Sequence, residues 1–319
     1  MTFGSPWHSA LNPAGPQAAH IARLTWILFW TTTAVFVIVL AFLGWALMRG
    51  IGRRRASAPP SSEIALTRSV AAGVVLTVFI IIGLLVSSIW TDHLLTSVHA
   101  SNAISVAVTG HQWWWEVEYE DSTPSQRVRT ANEIHIPVGR PVVLKFTSTD
   151  VIHSFWAPSL HGKRDLIPGY VTTDWIQADR AGIYRGQCAE FCGKQHAHMA
   201  FSVVAEDEAR FERWLDAQRA LATPPSTEAE RKGQEIFLTR TCSACHTVLG
   251  TAAHGQVGPD LTHVAARGTI GGGSLTTTHQ DLVSWIENSQ ATKPGNQMPP
   301  HSLSAEDLDA VVAYLQNLR

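Results

Sequence analysis

The chain has little sulfur and little charge. Among 319 residues there are only four cysteines and four methionines. Charged residues make up 16%, below the roughly 25% of soluble domains. The formal net charge is −2, and no basic stripe runs through the sequence, which excludes nucleic acid as a partner. No segment repeats. The cysteines fall in two tight pairs, Cys188 with Cys192 and Cys242 with Cys245, so none is left over for a disulfide framework. Two long runs, residues 25–48 and 69–90, contain no charge at all.

Each uncharged run is long enough to cross a hydrocarbon core of about 30 Å as a helix. Trp26, Trp30, Trp45 and Trp90 lie toward their ends, where amphipathic rings favour the membrane interface. The loop between the runs carries Arg49, Arg53, Arg54, Arg55 and Arg68, with Glu63 its only acid. An excess of arginine predicts that this loop is cytoplasmic and both chain ends are outside. The first run lacks a preceding basic region and a small-residue cleavage site before Arg49, so it reads as a retained anchor rather than a signal peptide.

The expected order is an exported N-terminal segment 1–24, transmembrane helices 25–48 and 69–90 around a cytoplasmic loop 49–68, and an exported remainder. In 91–205, short alternating aromatic and β-branched runs, such as Trp113-Trp-Trp-Glu-Val-Glu-Tyr and Pro141-Val-Val-Leu-Lys-Phe-Thr, predict a β-sandwich or barrel. Residues 206–226 read as a helix and a Pro-containing linker. Residues 227–319 predict a small all-α unit. Thr227 with Glu230 and Ser304 with Asp307 resemble capping boxes. Leu308, Val311, Val312, Leu315 and Leu318 form one apolar helical face. Gly233 suits a close helix contact, and 268–273 reads as a flexible Gly-rich loop.

The first cysteine pair stands in Cys188-Ala-Glu-Phe-Cys-Gly-Lys-Gln-His-Ala-His-Met199. Thiolate, imidazole and thioether are ligands that together suit copper. Two cysteines four apart can bridge two ions, and each ion then needs an imidazole. His196 is one, Met199 follows, and His153 is the candidate for the other. A disulfide leaves the histidine and methionine unexplained, and zinc takes methionine poorly. His161 and His198 are set aside as ligands, and His135, inside a strand, reads as packed or surface. The second pair stands in Cys242-Ser-Ala-Cys245-His246, the attachment signature of a c-type haem. The cysteines would form thioethers and His246 would bind iron. Met298, in Gln-Met-Pro-Pro, is the candidate sixth ligand.

These motifs, with Gly-His-Gln-Trp-Trp-Trp at 110–115 and Lys-Arg-Asp-Leu-Ile-Pro-Gly at 163–169, closely resemble subunit II of haem–copper cytochrome c oxidases, over nearly the whole chain. A cytochrome c fused behind it resembles the caa-type oxidases. The resemblance implies a membrane-anchored multidomain chain: a two-helix hairpin, a cupredoxin sandwich holding a binuclear copper centre (CuA), and a class I cytochrome c domain. It implies side-chain copper ligands His153, Cys188, Cys192, His196 and Met199. It implies Glu190 as a ligand through its backbone carbonyl, with its carboxylate on a magnesium ion shared with subunit I. Trp113 is implied as a surface electron-input residue; Trp114 and Trp115 read as packing. Gly258-Pro259 fits the loop whose proline carbonyl accepts the proximal imidazole N–H. Trp285 reads either as a haem-propionate partner or as core. Glu116, Glu118, Glu120 and Asp121 read either as an acidic docking patch or as a solvated strand edge, and His254, His263, His279 and His301 as surface.

The implied role is electron input. A donor, cytochrome c or a quinol–cytochrome c reductase, would reduce the haem. The electron would pass through CuA to haem in subunit I, where a proton-translocating oxidase reduces oxygen to water. Subunit III and membrane lipid are further implied partners, and the location is the bacterial cytoplasmic membrane. Glu63 reads as a loop acid or as the mouth of a proton pathway. A copper-delivery protein would need neither Met199 nor a haem domain. A quinol-oxidase subunit lacks the copper ligands. An input subunit of a CuA-containing nitric oxide reductase would carry the same two centres and stays open.

Overall fold

A computed structural model describes residues 8–53, 63–96 and 103–319. Arg54 and Arg55 of the expected cytoplasmic loop, and the end of the polar connector after Trp90, lie outside them. The chain forms two units, 19–97 and the remainder.

The first unit is helical. Helix α1 spans Pro16–Arg53 and α2 spans Glu63–Thr96, each longer than its uncharged run because helix propensity carries into the polar flanks. A common recess is lined by His20 and Leu24 of α1 and by Val86 and Trp90 of α2, so the two run antiparallel. No described residue of α2 is buried. Hydroxyls that would be unpaired in hydrocarbon donate to carbonyls one turn back: Thr32 to Leu28, Thr77 to Gly73 and Ser87 to Gly83, at 2.8–3.0 Å. An apolar helix with its polar groups satisfied internally suits a bilayer. These two helices anchor the chain in the membrane. Glu63 opens α2 and is exposed.

The second unit contains a sandwich of two five-stranded sheets. Strands are β1 Ile104–His111, β2 Trp114–Tyr119, β3 Val128–Ala131, β4 Glu133–Pro137, β5 Val142–Ser148, β6 His153–Trp156, β7 Arg164–Leu166, β8 Thr172–Ile176, β9 Gly182–Cys188 and β10 Ala200–Glu206. The sheet orders are β3-β2-β1-β5-β8 and β4-β10-β9-β6-β7. Alternate residues of β1, β2, β5 and β9 are buried, as period-two patterning requires. Trp115, Phe155 and Phe201 pack between the sheets, with Phe155 stacked on Phe201 at 4.2 Å. The short strands β3, β6 and β7 have no long alternating run to mark them in the sequence.

Helix α3, Glu208–Arg219, lies in the stretch expected to be helical and packs on this sandwich. Phe211 is buried and Trp214 lies against Tyr119 and His135. Residues before α1 also join it: the Ala14 amide donates to Ser159 O at 2.7 Å.

The C-terminal part is helical: α4 Glu228–Thr239, α5 Cys242–Cys245, α6 His279–Thr292 and α7 Ala305–Asn317, with a minimal hairpin of β11 Thr269–Ile270 and β12 Leu275–Thr276. Thr227 and Glu230 form a complete capping box on α4, and Ser304 caps α7, contributing about 1 kcal/mol each. The apolar face from Leu308 to Leu318 is buried throughout. A Cβ on Gly233 would fall 2.0 Å from Ala310 O, so α4 and α7 pack through that glycine. The linker 222–226 is not free chain. Ala222 N donates to Leu249 O, and Asn317 Nδ2 donates to Thr223 O and Pro224 O.

Candidate metal centres

The copper-type donors meet at one end of the sandwich. His153 opens β6 and Cys188 closes β9, beside Phe155 of β6 in register. The loop 189–199 then returns to β10, closed by the Cys188 amide donating to Met199 O at 2.9 Å. Cys188 Sγ lies 3.7 Å from Cys192 Sγ, 3.8 Å from His153 Nδ1 and 3.3 Å from Glu190 O. Cys192 Sγ lies 3.6 Å from His196 Nδ1 and 3.8 Å from Met199 Sδ. A disulfide needs sulfurs about 2.05 Å apart. Spacings of 3.6–3.8 Å instead suit donors sharing an ion at about 2.0–2.3 Å from each. His153, Cys188, Cys192 and Met199 are buried. The donor set therefore fits a soft metal.

The surroundings keep the donors free to bind. His153 Nε2 donates to Asp150 Oδ1 at 2.9 Å, which leaves Nδ1 facing the thiols. The Gln112 amide holds the other Asp150 oxygen at 2.7 Å. A Cβ on Gly110 would fall 2.7 Å from the His153 ring, so only glycine there leaves the imidazole its place. The Cys188 thiol sits far below its ordinary pKa. Its hydrogen bond with Cys192 is the main cause, and His153 adds to it against the cost of burial. The same hydrogen bond pushes Cys192 up. One thiol of the pair thus ionises readily into the form that binds metal.

Between the two cysteines the loop tip faces out, with Glu190 exposed and Phe191 76% exposed. Among the described residues, His153, Cys188 and Cys192 are the one group of three or more His, Cys, Asp or Glu side chains able to share an ion.

Of the histidines set aside, His161 lies 3.1 Å from Asp174, and His198 Nδ1 bonds Gln195 Oε1 at 3.0 Å. His135 is packed between Glu206 and Glu133 and stacks on Trp214. The acids around β2 are not a free patch: Glu116 pairs with His111, Glu118 with Arg129 and Glu120 with Lys145.

The haem-type residues surround an apolar cavity of about 1370 Å³, counting its open mouth, lined by Cys242, Cys245, His246, Trp285 and Met298. His246 Nδ1 donates to Pro259 O at 2.8 Å, leaving Nε2 for a metal. Burial lowers the pKa of its ring, favouring the neutral ligating form. A Cβ on Gly258 would fall 2.5 Å from this ring. Such a cradle beside an apolar slot fits a covalently attached haem. Ser289 Oγ and Gln290 Nε2 donate to Met298 O, and Met298 N donates to Asn296. Sequence reading missed this fixing set, and Asp150 with it. For Asp150 the signal was present, an acid three residues before the candidate ligand in a polar turn.

Two expectations are corrected here. Trp113 is not at the surface: it is 8% exposed and lines the same cavity, because the helical part covers it. Its Nε1 donates to Cys192 O at 2.9 Å. His263 is buried, not superficial, and bonds Arg319 O and Ala220 O, the latter at the end of α3.

The profile of the family described as "Cytochrome C oxidase subunit II, periplasmic domain" matches residues 122–206, and the profile described as "Cytochrome c" matches 230–319. The chain is 30% identical over 317 residues to cytochrome c oxidase subunit 2 of Alkalihalophilus pseudofirmus, covering 98% of this chain and 91% of that one. It is 30% identical over 247 residues to an alternative cytochrome c oxidase subunit 2 of Bradyrhizobium diazoefficiens, covering 68% and 86%. Among solved structures, the periplasmic domain of subunit II of cytochrome oxidase from Bradyrhizobium japonicum aligns at 28% identity and TM-score 0.36, over 39% of this chain and 97% of that one.

Proposed function

The chain belongs to the cytochrome c oxidase subunit II family, as a member with a C-terminal cytochrome c domain, and from that we propose that it is the electron-input subunit with haem c and a two-copper CuA centre in series. The observation that carries this reading is the thiol pair 3.7 Å apart, flanked by His153, His196 and Met199. Two sulfurs at that spacing with an imidazole on each side suit two ions rather than one. His153, Cys188, Cys192, His196, Met199 and the Glu190 carbonyl would hold them. Cys242 and Cys245 would attach the haem, with His246 and Met298 on its iron. When bound, haem and copper supply the one-electron redox couples, haem nearer the donor and copper nearer subunit I.

The protein's own groups do the rest. Asp150 fixes the His153 tautomer, and Pro259 fixes His246 and raises its basicity. Burial of the thiols excludes water and keeps the ligand loop rigid, which lowers the reorganisation cost of electron transfer. Trp113 bridges the two sites: one face lines the haem cavity while its Nε1 reaches the Cys192 carbonyl. That supports Trp113 as the electron-input residue. It would serve the chain's own haem domain, because the ring is covered. Trp285 packs at the cavity wall beside Gly271, which supports its core role.

The exposed loop tip with Glu190 and Phe191 is the face for subunit I, and Glu190 would supply one ligand to a shared magnesium ion. The oxygen-reducing site lies in subunit I, subunit III completes the enzyme, and cytochrome c or a quinol–cytochrome c reductase is the donor. The arginine-rich loop between the helices lies in the cytoplasm, and both redox domains lie outside. Packing of the segment before α1 on the sandwich supports that topology, since it keeps the N-terminal side with the copper domain.

Optical, near-infrared and EPR spectra of the purified chain test this. A c-type haem band together with a mixed-valence copper signal is expected. Absence of either would overturn the assignment. Met298→Ala should leave the haem attached and lower its potential by on the order of 0.1 V, a fraction of the roughly 0.8 V that axial ligands command.

A further inference from the structure

The helical part and the sandwich meet through the copper-ligand loop itself. Gln195 Nε2 donates to Pro294 O at 2.9 Å, and Ala200 N donates to Gly272 O at 2.9 Å. These two contacts bracket His196 and Met199. Lys293 lies between them, at the end of α6, and is 2% exposed. Its Nζ donates to three backbone carbonyls: Trp113 O at 2.8 Å, His198 O at 2.9 Å and Gly271 O at 2.9 Å. The first follows β1, the second lies in the ligand loop, and the third belongs to the haem unit.

We propose that Lys293 is the positioning residue that locks the haem unit onto the copper-ligand loop and holds Trp113 between the two cofactor sites. This rests on the copper and haem assignment above.

An ammonium has three N–H donors and no acceptor, and here each donor has one carbonyl from a different segment. A glutamine has too few donors for this, and a planar guanidinium does not converge its donors on one point. The Gly-rich loop is shaped around the same atom. Gly271, Gly272 and Gly273 have φ of 61°, 67° and 78°, the left-handed region open to glycine. A Cβ on Gly272 would fall 2.7 Å from Lys293 Nζ and 2.7 Å from Trp113 O. The loop read from sequence as flexible is thus the docking element.

The rest of the contact is also buried and polar. Glu133 Oε1 accepts from the Gly268 and Thr269 amides, and Arg267 Nε donates to Thr130 Oγ1. Glu133, Arg267 and Lys293 are all under 9% exposed. A unit that docked and left repeatedly would pay to desolvate these charges each time. A unit that stays docked pays once, at folding. An external donor therefore meets the haem unit first, because Trp113 is already occupied.

The test uses the purified full-length chain in its oxidase, comparing Lys293→Met and Gly272→Val with the unaltered protein. Gly272→Val keeps the lysine but crowds its seat. Both variants are expected to retain the haem and copper spectra. The Ala200 and Gly268 amides should exchange hydrogen faster. The first-order rate of electron transfer from photoreduced haem to copper should fall by about tenfold or more, because small misplacements are costly. Unchanged exchange, or faster exchange with an unchanged transfer rate, would overturn the proposal. So would loss of both cofactor spectra in both variants, which would make Lys293 a folding residue. Missing spectra in the unaltered chain would sink the cofactor assignment instead, and amide exchange would still report on the dock.

Discussion

The two metal regions of this chain are built in opposite ways. The proposed copper donors are assembled by protein alone: strand ends and one closed loop bring His153, Cys188, Cys192, His196 and Met199 together at one end of the sandwich. The haem residues instead line a hollow. A sandwich of ten strands has a core of its own, with Trp115, Phe146, Phe155 and Phe201 buried. The small helical unit places its apolar side chains around a space that the proposed haem would fill. A preassembled site should lose its metal without losing its fold, whereas a hollow site should lose both together.

The largest effect should separate the two regions outright. Cys192→Ser removes one sulfur of the proposed ligand pair, and binuclear copper should be lost entirely while the haem band stays intact, as read by EPR and the visible spectrum. Retained mixed-valence copper would mean that Cys192 is not a ligand. The converse change is Cys242→Ala with Cys245→Ala. The helical unit should lose more than about 4 kcal/mol, the scale of losing a group bound at ~1,000 times its Kd, while the sandwich stays folded. Amide exchange across 227–319 against 104–206 reads this. Equal protection in both would end the contrast.

A smaller effect tests preassembly. Gly110→Ala should cost about 1–3 kcal/mol through overpacking against His153 and weaken copper binding, with haem attachment unaffected. Thermal unfolding with a copper titration checks it.

The smallest effect concerns the sandwich away from either metal. Burial would lower the His135 pKa, but hydrogen bonds and charge from Glu133 and Glu206 outweigh it and the net shift is upward. A raised pKa means a contribution fully present below about 6.5, the ordinary histidine value, and lost as pH rises through the folded-state value. Sandwich stability should therefore decline over that window in the native protein, and His135→Gln should flatten the decline. An identical pH profile in the variant would remove His135 as the cause.

Both metal frames are local in the sequence. Cys188 to Met199 and Cys242 to His246 each span a few residues, so ligand chemistry and spacing reveal them. His153 is 35 residues from Cys188; the need for a second imidazole makes it a candidate, and the family resemblance, not spacing, implies it as a ligand. The long alternating strands and the α7 face follow from periodicity. Short β6 and β7 do not, being too brief for a pattern. The dock between the two parts is invisible by the same logic. Lys293 binds carbonyls 95 and 180 residues away, and a carbonyl carries no side-chain signature. A run of glycines reads as flexible loop, and a lysine before Pro-Gly carries no sign of burial, until the partner surface is in place. Burial of Trp113 and His263 has the same cause.

The most direct test is one-electron photoreduction of the haem in the purified, copper-loaded chain, followed in the visible and near-infrared bands at several protein concentrations. The expected result is haem reoxidation matched by copper reduction, first-order and independent of concentration. A rate that rises with protein concentration, or haem that stays reduced beside oxidised copper, would contradict a relay built into a single chain.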